Sequence, residues 1–261
     1  MHATEREKLI LTILSGKDFV SFRELEEALD GSPATIRRDL ERLDGEGKIV
    51  RVRGGAKAKA DLHGDQQVGA PRLRGTPFDV NITRSPNEKQ RIGREAARLC
   101  DEGEGIMIDG GSTTFQMCSS LHGLNLQVLT NSLHIVHALS NQPGTRVLIP
   151  GGAVFPEQNI VLPMFGEDLT PAFHAPKLFL GCSAIGMSGL MQDDVVLVAS
   201  QRRFIERAEQ VILLADATKF EKSSGNVVCP LSRIDILITD DRLTDRQANM
   251  IEEKGVTLKI V

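Results

Sequence analysis

Apolar positions recur along this chain in two rhythms. Over roughly the first sixty residues they follow the period of short amphipathic helices; from Asn87 onward, short continuous apolar runs alternate with helical stripes. In the first part, Glu5 to Ser15 carries Leu9, Ile10, Ile13 and Leu14 on one stripe, and Gly16 ends it. Ser21 opens the stretch SFRE, where its hydroxyl caps a second helix and Glu24 reaches back to complete a capping box. Phe22, Leu25 and Leu29 give that helix its apolar face, and Asp30-Gly31 makes the turn. The third helix is SPATIRRDLERL, with Ser32 as N-cap and Pro33 at the first helical position, where its missing N–H costs nothing. Ile36, Leu40 and Leu43 face inward. At about 100° per residue, Arg38 points almost directly away from them, flanked by Ala34, Glu41 and Arg42, with Thr35 and Arg37 at the shoulders. Asp39 lies only about 60° from Ile36 by the same geometry and is expected to pair with an arginine of the protein.

Next comes GKIVRVRGGA, where Val50 and Val52 alternate with Arg51 and Arg53 before the Gly54-Gly55 turn. This predicts a hairpin wing with one apolar and one cationic face. Three short helices and a basic wing describe a winged helix-turn-helix, whose third helix enters the major groove of DNA. Ser32, Ala34, Thr35, Arg37, Arg38, Arg42, Arg51 and Arg53 are the candidate DNA-contacting residues. Residues 1–58 form this predicted domain. Residues 59–86 are poor in apolar positions and punctuated by Gly and Pro, and read as a linker, with Arg72, Arg74 and Arg84 as solvated charge.

From 87 to 261 the pattern predicts one α/β domain. Strands are expected at Gly105–Ile108, Leu126–Leu129, Arg146–Ile149, Lys177–Gly181, Gln210–Leu214, Asp235–Thr239 and Thr257–Val261, and a helix led by an Asn87 cap carries Ile92, Ala96, Leu99 and Cys100. Most of the strands are continuously apolar, as in a largely parallel sheet covered on both faces. Polar turns cluster at their carboxyl ends: Asp109-Gly110-Gly111-Ser112-Thr113-Thr114, Thr130-Asn131-Ser132, Pro150-Gly151-Gly152, Ser183 to Gly186, and Asp216 to Lys219. Ligands of open α/β sheets bind outside those ends. Gly110 and Gly111 allow close backbone approach, and the amides and hydroxyls of Ser112 to Thr114, at a predicted helix start, suit a phosphate. Lys219 adds a compact positive charge.

Charge sharpens the division of labour. The chain carries net −4 overall, yet Ser32 to Lys59 holds eight Lys/Arg against four Asp/Glu, a local +4 that leaves −8 for the rest. A small DNA-contacting region joined to a larger acidic domain fits this asymmetry. The four cysteines, Cys100, Cys118, Cys182 and Cys229, are scattered in or beside apolar segments and read as buried thiols. His134 and His137 are three apart on a predicted helix but have no third ligand near them, so no metal and no cofactor is expected. No apolar run approaches the roughly 20 residues of a membrane span, and the charged N-terminus lacks a signal-peptide core; a cytoplasmic location without membrane contact is the expectation.

The chain resembles the DeoR family of bacterial transcription regulators. The resemblance rests on Thr35-Ile36-Arg37-Arg38-Asp39-Leu40, Gly47-Lys48-Ile49-Val50-Arg51 and Gly54-Gly55-Ala56. It continues in Asp109 to Thr114, Thr130 to Ser132, Gly151-Gly152, Asp216 to Lys219 and Ile234 to Asp240, nearly the whole chain except the linker. It implies a C-terminal effector domain similar in fold to ribose-5-phosphate isomerase. That domain would bind a sugar phosphate or related metabolite and thereby change operator binding, usually by releasing a repressor of a carbohydrate-utilisation operon. It further implies effector contacts from Asp109, Gly110, Gly111, Ser112, Thr113, Thr114, Thr130, Asn131, Ser132, Gly152, Ser183, Asp216 and Lys219. In one place the chain departs from its relatives: DDVVLVASQRR is apolar where many of them are acidic, so Gln201 or Arg202 is expected to substitute there. This stretch and QNIVLP at Gln158 to Pro163 are loosely similar to the subgroup regulating ascorbate utilisation, whose effector is a phosphorylated ascorbate.

Two alternatives stay open at the level of sequence. A sugar-phosphate isomerase or deaminase with an accessory DNA-binding domain would need a general base, for which Asp109, Asp193, Asp194 and Asp216 are the available carboxylates, none in a recognisable enzyme motif. An architectural DNA-binding protein would need no ligand at all. One winged helix reads only a half-site, so a homodimer or homotetramer is expected.

Overall fold

The computed structural model describes residues 3–15, 20–29, 31–52, 54–58, 73–163 and 169–261. The chain divides into two compact units, Met1–Ala70 and Pro71–Val261.

The first unit is built from α1 (Ala3–Ser15), β1 (Val20–Ser21), α2 (Phe22–Ala28), α3 (Pro33–Gly45), β2 (Ile49–Val52) and β3 (Gly55–Ala58). The local signals behave as their chemistry requires. Ser21 caps α2 and Glu24 completes the capping box, while the Ser32 hydroxyl accepts from the Thr35 amide at the start of α3. Ile10, Leu14, Leu25, Leu29, Ile36, Leu40 and Leu43 close one apolar core with Val20, Ile49 and Ala56. Asp39 is buried at the edge of that core and takes a hydrogen bond from Arg6 Nε at 2.7 Å, the internal arginine pairing its helical position demanded. Strands β2 and β3 form the wing, with β1 added on the β3 side, all antiparallel. The wing corrects one detail: Ile49 is the inward residue and Val50 is exposed, so the wing does not alternate cleanly as its valines and arginines suggest.

The second unit starts well before residue 87. Leu73 is buried against Phe155, Ile160 and Leu162, and α4 (Phe78–Asn81) follows. The stretch from Leu73 to Pro86 therefore belongs to the second unit and not to the linker expected over residues 59–86. Its scarce apolar residues, Leu73 and Phe78, are the ones that go inside. The next helix, α5 (Pro86–Ala97), has Ser85 rather than Asn87 at its N-cap position, in left-handed backbone (φ 46°) and without a side-chain capping bond, and Pro86 at its first position.

The remaining elements are β4 (Gly105–Ile108), β5 (Gln127–Thr130), α6 (Leu133–Leu139), β6 (Arg146–Leu148), β7 (Ala153–Phe155), β8 (Ile160–Leu162), β9 (Ala175–Leu180), β10 (Ala184–Gly186), β11 (Gly189–Gln192), α7 (Val195–Glu206), β12 (Ala208–Leu214), β13 (Asn226–Cys229), β14 (Ile236–Thr239), α8 (Asp245–Glu252) and β15 (Thr257–Ile260). Each of the seven predicted strand segments supplies one strand of a single sheet ordered β15-β14-β12-β9-β4-β5-β6. All its pairings are parallel. Successive side chains alternate between two cores: Met107, Leu178, Leu180 and Leu213 enter one, while Ile106, Ile108, Phe179, Ile212 and Leu214 enter the other. That is why these runs are continuously apolar. The hairpin β7–β8 and the antiparallel sheet β10-β11-β13 were not anticipated. Their strands are three or four residues long and carry little periodic signal.

Candidate functional site

On the first unit, α3 exposes Ser32, Ala34, Arg37 and Arg38, with Thr35 half-buried. The Arg37 guanidinium lies over the Phe22 ring, 4.9 Å from its centroid, so its approach direction is set by α2. Arg38 is exposed and meets no acidic partner among the described residues. Arg42 and Arg51 differ from expectation. Arg42 bridges Glu7 of α1 (3.0 Å) and Glu46 (2.8 Å), and Arg51 pairs with Glu41 at 2.9 Å. The helix turn that places Arg42 away from the core also places Glu46 one turn beyond it, and the wing returns beside Glu41. Both arginines are thus committed inside the unit, although exposed pairs of this kind are worth at most about 1 kcal/mol. Arg53 lies outside the described residues.

In the second unit a cleft of about 360 Å³ opens beside the carboxyl ends of β4 and β9. Asp109, Gly110, Gly111, Ser112 and Thr113 form one wall; Ser183 and Lys219 join them from the other predicted turns. Among the described residues, no acceptor meets the amides of Gly111, Ser112 and Thr113. The turn after them, Thr114–Ser120, is a seven-residue 3-10 helix. An anion placed here would meet individual N–H groups and cations rather than the dipole of a long α-helix. Lys219 is 6% exposed, lines the cleft, and has no carboxylate within ion-pair range among the described residues. It rides on the Ala217–Glu221 turn, which Asp216 caps through the Thr218 amide and hydroxyl. Asp240, held by Arg242 Nε at 2.6 Å, accepts from the Ala217 amide at 2.8 Å. The two aspartates of the D-x-x-K and I-T-D segments thus position Lys219.

Behind Lys219 lies a second cation that the sequence reading missed. Lys89, on the first turn of α5, has no solvent exposure, and its ammonium donates to the Asn81 carbonyl. Burial first, then repulsion from Lys219, lowers its pKa to about 8. Two buried lysines close enough to repel each other, with neither in an ion pair among the described residues, leave a positive potential that a bound anion would neutralise. The segment that runs into α4 adds to the same cleft: Arg74, Thr76 and Asn81 line it. That segment is fastened by the Arg74 amide donating to Asp194 (2.9 Å), Gln158 Nε2 donating to the Thr76 carbonyl (2.6 Å) and the Phe78 amide donating to the Glu157 carbonyl (2.9 Å). At Gly75 (φ +110°) a β-carbon would stand 2.6 Å from the Asp193 carboxylate, so only glycine fits.

Asp109 sits at the other side, 4% exposed. Burial pushes its carboxyl up to about 6, against the hydrogen bond from Gln201 Nε2 (2.6 Å) and the Gly181 amide. Between its ordinary value near 3.8 and about 6, the folded chain binds more protons at this site than the unfolded chain, so stability falls as pH rises through that window. Asp109→Asn removes the penalty. At neutral pH it should raise the unfolding free energy by about 1–3 kcal/mol and flatten the slope between roughly pH 4 and 6; urea unfolding across that range checks both.

Several other expected contacts stand elsewhere. Arg202 turns out of the cleft and donates to the carbonyls of Val228 and Val227 (both 2.7 Å), while Gln201, its neighbour on α7, faces in. Gly152 (φ +152°), just before β7, is packed against the Leu162 carbonyl at the open end of the β7–β8 hairpin and does not line the cleft. Thr130 accepts from the Ser132 amide (3.2 Å), Ser132 caps α6, and Thr114 donates to the carbonyls of Asp109 and Gly111. Asn131 fixes the loop by accepting from the Gly110 amide at 2.8 Å. These residues and Asp216 hold the cleft in shape without lining it. The sequence motif marks both kinds of residue, because loop shape and ligand contact are encoded in the same short strings. His134 stacks on Phe78 with centroids 3.9 Å apart, which makes its ring a packing surface. Cys182 lines the cleft, and burial raises its thiol to about 12, leaving it unreactive at neutral pH. No helix among the described residues is long and apolar enough to cross a membrane.

Comparison with known proteins matches both units. The DeoR-like helix-turn-helix domain matches residues 6–61, and the DeoR C terminal sensor domain matches residues 84–241. HTH-type transcriptional regulators UlaR from Shigella dysenteriae serotype 1 and from Escherichia coli K12 (DH10B) are each 29% identical over 259 residues, covering 99% of this chain and of theirs. Solved structures with partial likeness include ribose 5-phosphate isomerase A from Methanocaldococcus jannaschii (TM-score 0.39, 12% identity, 52% of this chain and 55% of that one). Another is the probable sor operon regulator from Shigella flexneri (TM-score 0.38, 7% identity, 68% and 86%). With a matching sensor domain over more than half its length and a matching DNA-binding domain before it, the chain belongs to the DeoR family of DNA-binding transcription regulators.

Proposed function

We propose that the cleft of the second unit recognises a phosphorylated sugar or a closely related sugar metabolite, and that its occupancy changes the affinity of the first unit for operator DNA. The observation that carries this reading is Lys219, buried in the cleft with no carboxylate partner among the described residues, beside the open amides of Gly111 to Thr113. A dianionic phosphate satisfies both at once, and the hydroxyl and amide groups that line the rest of the cleft suit a sugar. The regulator acts as a repressor of a carbohydrate-utilisation operon in the cytoplasm, as a homodimer or homotetramer that presents paired winged helices to a two-half-site operator. The resemblance of DDVVLVASQRR and QNIVLP to the ascorbate-utilisation subgroup makes L-ascorbate 6-phosphate the first candidate effector.

A thermal-shift panel on the full chain tests this with L-ascorbate 6-phosphate, pentose and hexose phosphates, the same sugars unphosphorylated, and inorganic phosphate. Melting-temperature increases confined to phosphate-bearing compounds are expected; a shift by a neutral sugar alone would contradict the reading. The carboxyl of Asp109, held near pH 6, is what a general base would need. Its Oδ2 is already occupied by Gln201, and it is assigned here to recognition, so the same compounds should be recovered unchanged after incubation.

A further inference from the structure

We propose that Gln201 makes the cleft selective for a hydroxyl-bearing ligand: its Oε1 accepts a hydrogen bond from a ligand hydroxyl, while its amide nitrogen holds Asp109 in place. The inference rests on the phosphate reading above and adds what the rest of the ligand must carry.

The geometry fixes which way the amide points. Gln201 is 2% exposed, and its Nε2 lies 2.6 Å from Asp109 Oδ2 and 3.0 Å from the Gly181 carbonyl. A carbonyl oxygen only accepts, and an ionised carboxylate only accepts. Turning the amide over would set Oε1 against the Gly181 oxygen and leave that carbonyl without its donor, so the NH2 group belongs where it is. Both of its protons are then used. Oε1 is left buried with no partner among the described residues, on a residue that lines the cleft. A buried amide oxygen without a donor costs about 1–3 kcal/mol, a cost that a ligand donor removes.

A second unpartnered atom points to the same chemistry. Ser112 is 3% exposed, lines the cleft, and its Oγ has no partner among the described residues. A hydroxyl can give or receive, so Ser112 accommodates a phosphate oxygen or a sugar hydroxyl. Gln201 Oε1 is stricter, because it requires a donor, and a phosphate dianion has none. The Gln201 end of the cleft thus selects the polyol portion of the ligand, and the Lys219 side selects its anion. The support of Gln201 is stiff: α7 is capped by Asp194, whose other oxygen accepts from the Arg74 amide of the neighbouring wall.

The experiment compares paired probes by calorimetry on the full chain: D-ribose 5-phosphate with n-pentyl phosphate, D-glucitol 6-phosphate with n-hexyl phosphate, and inorganic phosphate as the anion alone. Within each pair the anion and chain length match and the hydroxyls differ. The wild type should prefer at least one polyol phosphate over its alkyl partner by about 100-fold, since a site built to bond a hydroxyl rejects an analogue lacking it. Gln201→Met should cut that preference by about 10-fold or more while leaving inorganic phosphate within about 2-fold. A preference unchanged in Gln201→Met, or affinity for all five probes falling equally, would overturn the role of Gln201 and leave the anion site standing. Failure of the wild type to bind any of the five would overturn the phosphate reading and this inference with it. Should Gln201→Met not fold, Gln201→Asn keeps both amide groups but withdraws them by one methylene, and the same selective loss is expected of it.

Discussion

Arg38→Ala should abolish the operator complex in a gel shift while leaving the thermal response to phosphate-bearing ligands intact. Arg38 stands on the exposed side of α3, opposite Ile36, Leu40 and Leu43, and makes no ion pair among the described residues. A bidentate arginine–guanine contact discriminates by about 1–3 kcal/mol, and an operator with two half-sites doubles the loss. Loss of a neighbouring phosphate contact would instead weaken all sequences alike and reduce the salt dependence. Arg42→Ala supplies the contrast. Because Arg42 is tied to Glu7 and Glu46, its removal should change operator affinity by only a few fold. If Arg38→Ala binds operator as the wild type does, α3 is not the reading helix.

Lys219→Met is the second large effect, and its two consequences have opposite signs. Removing a buried ammonium that has no carboxylate partner relieves a desolvation cost, so the ligand-free protein should melt higher, by an amount corresponding to about 1–2 kcal/mol. The same change should weaken inorganic phosphate and phosphate esters by about 100-fold, the value of a charge-assisted contact in a shielded site. A variant that loses stability and ligand together would indicate a structural lysine, and one that keeps its affinity for phosphate would remove Lys219 from the site. Lys89 shows the same tension through pH. Its pKa is lowered to about 8 in the folded chain from 10.5, so the unfolded chain binds more protons between those values and stability rises with pH across that window.

The elements that the sequence disclosed best are those whose signal is local. Ser21–Glu24 and Ser32–Pro33 announce helix starts through hydrogen bonds made within four residues. The sheet strands announce themselves because both of their faces are buried. Asp109 to Thr113, Ser183 and Lys219 were legible as cleft residues because they sit in polar turns directly after such strands. What escaped was set by long-range packing. Lys89 looks like an ordinary surface lysine of an amphipathic helix, yet Asn81 and Lys219 come to lie beside it only in the folded domain. Arg74, Thr76 and Asn81 lay in a Gly- and Pro-rich stretch that resembles a linker until Leu73 and Phe78 are seen to be buried. Gln201 and Arg202 are adjacent, and only the packing of α7 decides that the amide faces the cleft and the guanidinium faces β13. Arg42 and Arg51 stand as candidate DNA contacts in the sequence because their partners Glu7 and Glu41 lie on other elements, although Glu46 is one turn from Arg42.

The segment that walls the cleft at Arg74 to Asn81 is also the one that leads back along the chain to the DNA-binding unit. Differential binding to the two states is what any ligand-operated switch requires. The most direct measurement is fluorescence anisotropy of the full chain on the DNA immediately upstream of its own gene, titrated with the phosphate ester that gives the largest thermal shift. The account predicts that saturating ligand weakens DNA binding at least about 10-fold, and that Lys219→Met binds the same DNA but no longer responds. A ligand that binds the wild-type cleft and leaves its DNA affinity unchanged would contradict it.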